Sequence, residues 1–208
     1  MKTEQTWELI HAERAAMAAT LSTLSEEQWS SPSWCEGWSV QQTAGHILAA
    51  AEQTPLNFYK ELAQAGFRFD AFTDRGARRL GALAPDEIVS RLEARTTTTN
   101  HPPAPSMAML GEIVVHGEDI RRPLGIDQPV RAASLLAVAE SFKRSNLLIG
   151  SKRRIEGLRL VASDLDWSTG DGPEVTGPMA SLVMVMTGRA QAAGALEGEG
   201  LGTLVGRC

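Results

Sequence analysis

Glu112 and His116 stand four residues apart in a run, Gly111-Glu112-Ile113-Val114-Val115-His116-Gly117, that is otherwise apolar. On a helix this spacing puts both side chains on one face, on successive turns, with Cβ atoms roughly 5–6 Å apart. Such a pair can converge on one cation, or can simply hydrogen-bond at the surface. The apolar surroundings favour the first reading, because a buried carboxylate needs a proton, a cationic partner or a metal. His46 has a similar setting in Ala44-Gly45-His46-Ile47-Leu48-Ala49-Ala50, among small residues that let another backbone come near. Alone it reads equally well as a core histidine bonded to a carbonyl. If the two helices face each other, His46, Glu112 and His116 are offered to a single site. Two imidazoles and a carboxylate suit Zn²⁺ with one position open for water or substrate, which describes a catalytic rather than a structural ion. Ligand type alone does not separate zinc from nickel, cobalt or iron.

Other polar groups compete less well. Asp119, three positions beyond His116, could orient the imidazole from behind or pair with Arg122, and the salt bridge is the favoured reading. Cys35, between Trp34 and Glu36, has no base beside it in sequence and reads as a partly buried structural thiol rather than a nucleophile. His11 has no partner at ligand spacing, and His101, before two prolines, is expected to be exposed. There is no Ser-His-Asp elbow, P-loop or dinucleotide fingerprint, and Gly198-Glu199-Gly200-Leu201-Gly202 is merely glycine-rich.

The elements that must position these groups are mostly helical. Trp7, Ile10, Met17, Leu21 and Leu24 recur on one helical stripe, which Arg14 interrupts. A loop dense in tryptophan follows over 28–38. Ser39 with Gln42 then forms a capping-box pattern for a helix running from Val40 past Ala51. Pro55 either kinks it or opens a new first turn. The stretch 66–81 reads as a loop with a short helix from Ala71 to Leu80. Pro85-Asp86-Glu87 starts another helix, expected to decay in the threonine run 96–99. The next begins near Ser106 and ends at Arg121-Arg122-Pro123. Ala132 to Ile149 is amphipathic, with Leu135, Val138, Ala139, Phe142 and Leu147 on its apolar side.

After Ser151 the character changes, and ten of the nineteen glycines lie there. Leu158 to Ala162 and Glu174 to Thr176 read as strands, Pro178 to Arg189 as an apolar helix, and Ala195 to Glu197 as a third strand. The expected organisation is a helical bundle over 1–150 and a small α+β part over 151–208, mainly α overall.

Composition narrows the function. The 208 residues are 43% hydrophobic and 22% charged with a net charge of −5, a globular and acidic chain with no basic footprint for nucleic acid. No apolar run reaches the roughly 18–20 residues that span a bilayer, and the first residues lead into a charged amphipathic stretch rather than a signal peptide. Two distant cysteines make no disulfide framework. A cytoplasmic protein is expected.

Trp34-Cys35-Glu36-Gly37-Trp38-Ser39-Val40 leading to Gly45-His46, and Glu112-Ile113-Val114-Val115-His116-Gly117-Glu118-Asp119-Ile120-Arg121-Arg122-Pro123-Leu124-Gly125, together resemble the mycothiol-dependent maleylpyruvate isomerase family of the DinB-like superfamily. Leu160-Val161-Ala162-Ser163-Asp164, Gly177-Pro178 and Thr187-Gly188-Arg189 resemble its small C-terminal domain. The resemblance implies a DinB-like four-helix bundle holding a divalent metal, usually zinc, through His46, Glu112 and His116. It implies mycothiol as thiol cosubstrate, with metal-bound thiolate attacking a small electrophile in an isomerase or S-transferase reaction. It also implies basic groups for an anionic partner, for which Arg75, then Arg78 and Arg79, are candidates. A metal-dependent hydrolase with activated water and a non-catalytic metal-binding or regulatory bundle are the rival readings. No membrane or nucleic-acid partner is expected, and a homodimer is left open.

Overall fold

The structure, a computed structural model, describes residues 2–147 and 149–208. The chain divides into two compact units, Met1–Gln128 and Pro129–Cys208.

In the first unit α1 (Thr3–Leu21), α2 (Glu26–Ser30), α3 (Val40–Glu52), α4 (Pro55–Gln64), α5 (Phe69–Leu80), α6 (Pro85–Glu93) and α7 (Ser106–Arg121) follow in order. The bundle is made by α1 and α3, each packed against both α6 and α7, and α5 also packs on α3. Trp7, Ile10, Met17 and Leu21 are buried as their spacing predicts. Arg14 shares that stripe and is also buried, with Nη1 donating to the carbonyls of Arg95 and Thr98 at 3.1 and 3.2 Å. It therefore satisfies backbone acceptors left over where α6 ends, which explains a cation on an apolar face. Burial first, and then the neighbouring Arg95 guanidinium, lowers its pKa to about 10, so it stays charged at neutral pH.

Local signals set most boundaries. Ser39 Oγ accepts from the Gln42 backbone N–H while the Gln42 side chain accepts from the Ser39 N–H, closing the box that opens α3. Ser25 and Gln28 do the same for α2, a short helix inside a stretch that reads as loop. Pro55 occupies the first turn of α4, capped by Thr54, so it starts a helix instead of kinking one. Helix α6 ends at Glu93, before the threonine run is reached.

The crossing of α3 and α5 is set by two glycines. A Cβ at Gly45 would fall against the Gly81 backbone nitrogen and only 2.7 Å from the Ala77 carbonyl oxygen. A Cβ at Gly81 would lie 2.8 Å from the Gln42 Cα. Backbone meets backbone here, next to His46, and neither side can yield.

In the second unit come α8 (Ala132–Phe142), α9 (Ser151–Arg154), β1 (Arg159–Ala162), β2 (Ser168–Thr169), β3 (Glu174–Gly177), α10 (Met179–Met186), a 3₁₀ turn (Ala190–Ala195) and α11 (Leu201–Val205). The sheet order is β2-β1-β3, antiparallel between β1 and β2 and parallel between β1 and β3, with Leu160 opposite both Thr169 and Val175. Leu160 and Val175 are buried on one face, against α10, a helix buried along almost its whole length. Because α8 packs on α10 and Glu140 Oε1 accepts from Trp167 Nε1 at 3.0 Å, the compact unit begins at Pro129, well before residue 150.

Two expectations are corrected in this unit. Helix α8 stops at Phe142, and Leu147, expected on its apolar side, is exposed. Residues Ala190–Ala195 form the 3₁₀ turn, Glu197 makes only an isolated bridge to Thr176, and the third strand is Ser168–Thr169, recruited from a turn-rich segment by pairing with β1.

Replacing Gly45 by alanine is expected to cost about 1–3 kcal/mol as an overpacking change. Gly202, on α11 with nothing within 4 Å of an added Cβ, should instead tolerate alanine or gain up to about 1 kcal/mol. Thermal melts of the two variants against the parent check this. Equal melting temperatures for both would contradict the close crossing.

Candidate metal centre

Helix α3 presents His46 and α7 presents Glu112 and His116, because these helices face each other across the bundle. His46 Nε2 lies 2.8 Å from Glu112 Oε2, and His116 Nε2 lies 3.4 Å from the same oxygen. The three potential ligand atoms are all within 4.8 Å of one another. The two rings meet edge to face with centroids 4.6 Å apart. His46 and His116 keep only 11% and 15% of their side chains exposed, whereas Glu112 keeps 33%, so the cluster opens to solvent on the carboxylate side.

Around a tetrahedral ion with bonds of 2.0–2.1 Å, neighbouring ligand atoms stand ~3.4 Å apart. The observed separations are of that order, and the donor set of two imidazoles and one carboxylate fits a borderline divalent cation. A second feature supports the fit. His116 Nδ1 is 2.9 Å from Asp119 Oδ2, whose carboxylate is fully buried, so Nε2 is the nitrogen turned toward Glu112 and His46. A carboxylate behind a ligating imidazole fixes the tautomer and the ring.

The charges are mutually dependent. Burial alone would raise the Glu112 carboxyl, but hydrogen bonds from His116 and His46 and their charge outweigh it and hold it well below the usual range. Burial alone would likewise lower His116, yet hydrogen bonds with Asp119, Cys35 and Glu112 carry it well above the usual imidazole value.

The segment between α2 and α3 wraps both imidazoles. The Trp38 ring lies 5.2 Å from that of His46, and its Nε1 donates to Asp74 Oδ1 at 3.0 Å. Cys35 Sγ is 3.1 Å from Asp119 Oδ2 and 3.3 Å from His116 Nδ1. The thiol therefore has the base that local sequence lacked, supplied from 81 positions away. Only its place two residues after Ser33, in a segment dense in turn formers, hinted that it is held rigidly. Asp119 meets the imidazole, while Arg122 Nε donates to Glu118 Oε2 at 2.7 Å.

The remaining candidates are not among these ligand atoms. His11 Nε2 is 3.0 Å from the Thr98 carbonyl oxygen, and both His11 and His101 pack on Trp7, which makes His101 partly covered rather than exposed. On α5, Arg75 donates to the Gln64 carbonyl at 3.1 Å, Arg78 pairs with Asp74 and Arg79 with Glu61. No helix among the described residues is long and apolar enough to cross a membrane.

Fold and site together define a helical-bundle protein built around an imidazole–carboxylate centre and followed by a small sheet-and-helix unit. Residues 10–121, more than half of the chain, match the profile of the mycothiol maleylpyruvate isomerase N-terminal domain, and the chain belongs to that family, one named for an enzyme. Two solved structures share the fold. The crystal structure of the mycothiol-dependent maleylpyruvate isomerase is 16% identical, with a TM-score of 0.64 over 96% of this chain and 93% of that one. A histidine-to-alanine mutant of that isomerase gives a TM-score of 0.62 at the same identity and coverage. No curated protein matches the sequence.

The linkage gives a prediction for metal-free protein. His116 is raised in the folded state, so its stabilisation is full below the ordinary value of 6.5 and is lost as pH rises through the folded value. Glu112 is depressed, so its contribution is present above 4.5 and is lost as pH falls through the folded value. Melting of chelator-treated protein should show the parent's advantage over His116→Gln shrinking as pH rises past about 6.5. A constant advantage up to pH 9 would contradict the charge network.

Proposed function

We propose that the chain is a divalent-metal-dependent, mycothiol-using isomerase or S-transferase acting on a small electrophile. The observation that carries the proposal is the convergence of His46 Nε2, Glu112 Oε2 and His116 Nε2 on one point from two facing helices. Family membership supports mycothiol as the thiol, since the matching profile is that of a mycothiol-dependent enzyme. Zinc is the ion proposed, with nickel, cobalt and iron as alternatives for the same donors. A divalent cation held there would supply Lewis acidity that keeps a thiol ionised near neutral pH.

The chain's own residues do the rest. His46 and His116 offer nitrogen lone pairs, and Glu112 offsets charge from the solvent-facing side. Asp119 keeps the His116 proton on Nδ1 and leaves Nε2 free to donate its lone pair. Trp38 walls the His46 ring and holds it against rotation. For an α,β-unsaturated substrate such as maleylpyruvate, the sulfur forms a C–S bond and the double-bond electrons move to the carbonyl oxygen. The former double bond then turns, and expulsion of the thiolate restores it in the trans form, so no atoms are gained or lost. With a halide or epoxide, loss of the leaving group or ring opening would give an S-conjugate.

Arg75 is the proposed cation for an anionic substrate or thiol. Among the described residues it has no carboxylate partner, whereas Arg78 and Arg79 are each paired with one. A cytoplasmic setting, where thiols stay reduced, accords with two cysteines that form no disulfide.

The test is consumption of maleylpyruvate and a panel of other electrophiles with and without mycothiol, on protein of measured metal content. Turnover is expected only with mycothiol, to vanish on chelation and to return with zinc. His46→Ala should lower kcat/KM by about 10²–10³-fold, the scale of losing an essential electrostatic group. Turnover of the electrophiles without thiol would point to a hydrolase, and full activity of metal-free protein would overturn the proposal. Arg75→Ala should raise KM for an anionic substrate while kcat changes little, the signature of lost uniform binding.

A further inference from the structure

Cys35 lies on the Nδ1 side of the His116 ring, opposite the edge that faces Glu112. Its Sγ and the ring Nδ1 both lie within hydrogen-bond reach of one oxygen, Asp119 Oδ2, at 3.1 and 2.9 Å. An aspartate carboxyl turns about a soft terminal torsion. A donor that reaches the same oxygen from a direction other than the imidazole's restrains that rotation further.

The thiol is itself held in place. The Cys35 backbone N–H donates to Ser33 Oγ at 3.1 Å, and the Cys35 carbonyl accepts from the Trp38 N–H at 3.0 Å. The Trp34 N–H donates to the Asp119 carbonyl at 2.9 Å, and the Arg122 guanidinium lies over the Trp34 ring. Ser33 Oγ also accepts from Thr43 Oγ1 on α3 at 2.8 Å. The segment carrying the thiol is thus fastened to the backbone of the residue the thiol addresses and to the helix that carries His46.

We propose that Cys35 is a positioning residue for the metal centre, donating its S–H to Asp119 Oδ2 and so fixing the carboxylate that aims His116 Nε2. Its thiol is not a ligand. A cation on Nε2 lies across the ring from Sγ, and one imidazole can serve ions at both nitrogens only after losing both of its protons. The proposal rests on the metal reading above and assigns a task to the thiol which that reading does not need.

The test uses Co²⁺ affinity, read by competition with a chromophoric chelator, for the parent, Cys35→Ser and Cys35→Ala. Cys35→Ala should weaken binding about tenfold, the lower end of what loss of a supporting hydrogen bond costs a metal site. Cys35→Ser, whose hydroxyl also donates, should stay close to the parent. In an Asp119→Ala background, Cys35→Ala should add nothing, because the two act through one route. The cobalt spectrum of the parent should lack a thiolate-to-cobalt charge-transfer band.

Parent-like affinity of Cys35→Ala overturns the proposal while leaving the metal centre intact. So does equal weakening by Ser and Ala, additivity with Asp119→Ala, or a thiolate band that disappears in Cys35→Ser. Failure of the parent to bind Co²⁺ overturns both readings at once.

Discussion

A carboxylate held between two imidazoles is the contact on which the rest of the molecule depends. Glu112 is drawn out of the ordinary carboxylate range only because His46 and His116 both face its Oε2. Removing either imidazole would leave the carboxylate with half its compensation, a cost that its partial exposure to water reduces. The requirement is geometric as well as electrostatic. It fixes how α3 faces α7, and α3 in turn is seated on α5 through the backbone contact of Gly45 and Gly81. A small residue at that crossing is therefore part of the site, although it carries no functional group.

Polar groups elsewhere in the first unit are arranged by the same economy of partners. Arg14 ends α6 from inside the core, and Asp119 receives the imidazole proton and the thiol while its own carbonyl accepts from Trp34. Trp38 ties His46 to α5 through Asp74, which Arg78 also grips. The two rings of the centre are thus restrained on their outer faces by one segment, Ser31 to Ser39, whose tryptophans and turn residues otherwise look like an unstructured connection. Rigid support of this kind keeps a coordination geometry within the tolerance that chemistry demands.

Much of this could be read from residue order, and the parts that could not share one cause. Periodicity located α1, and capping chemistry at Ser39 opened α3, because both act within a turn or two of helix. The Glu-x-x-x-His spacing on α7 was likewise local, and so was the resemblance of its flanking motif. Cys35 and His116 meet across 81 positions, and nothing in either neighbourhood announces the other. Asp119 had two local candidates for a partner, His116 and Arg122, and only the fold shows that the imidazole is one it takes. Strand β2 is defined by its pairing with β1, since one threonine within a run of Ser, Gly, Asp and Pro is too short a strand signal to stand out locally. Arg14 looked like a flaw in a stripe until the carbonyls at the end of α6 came into view.

The most direct test of the central claim is anomalous diffraction from crystals of the protein grown with zinc. A single peak should appear within about 2.0–2.2 Å of His46 Nε2, a Glu112 carboxylate oxygen and His116 Nε2, with Asp119 still on Nδ1. No density at that point under stoichiometric zinc, or an ion bound through Cys35 instead, would contradict it.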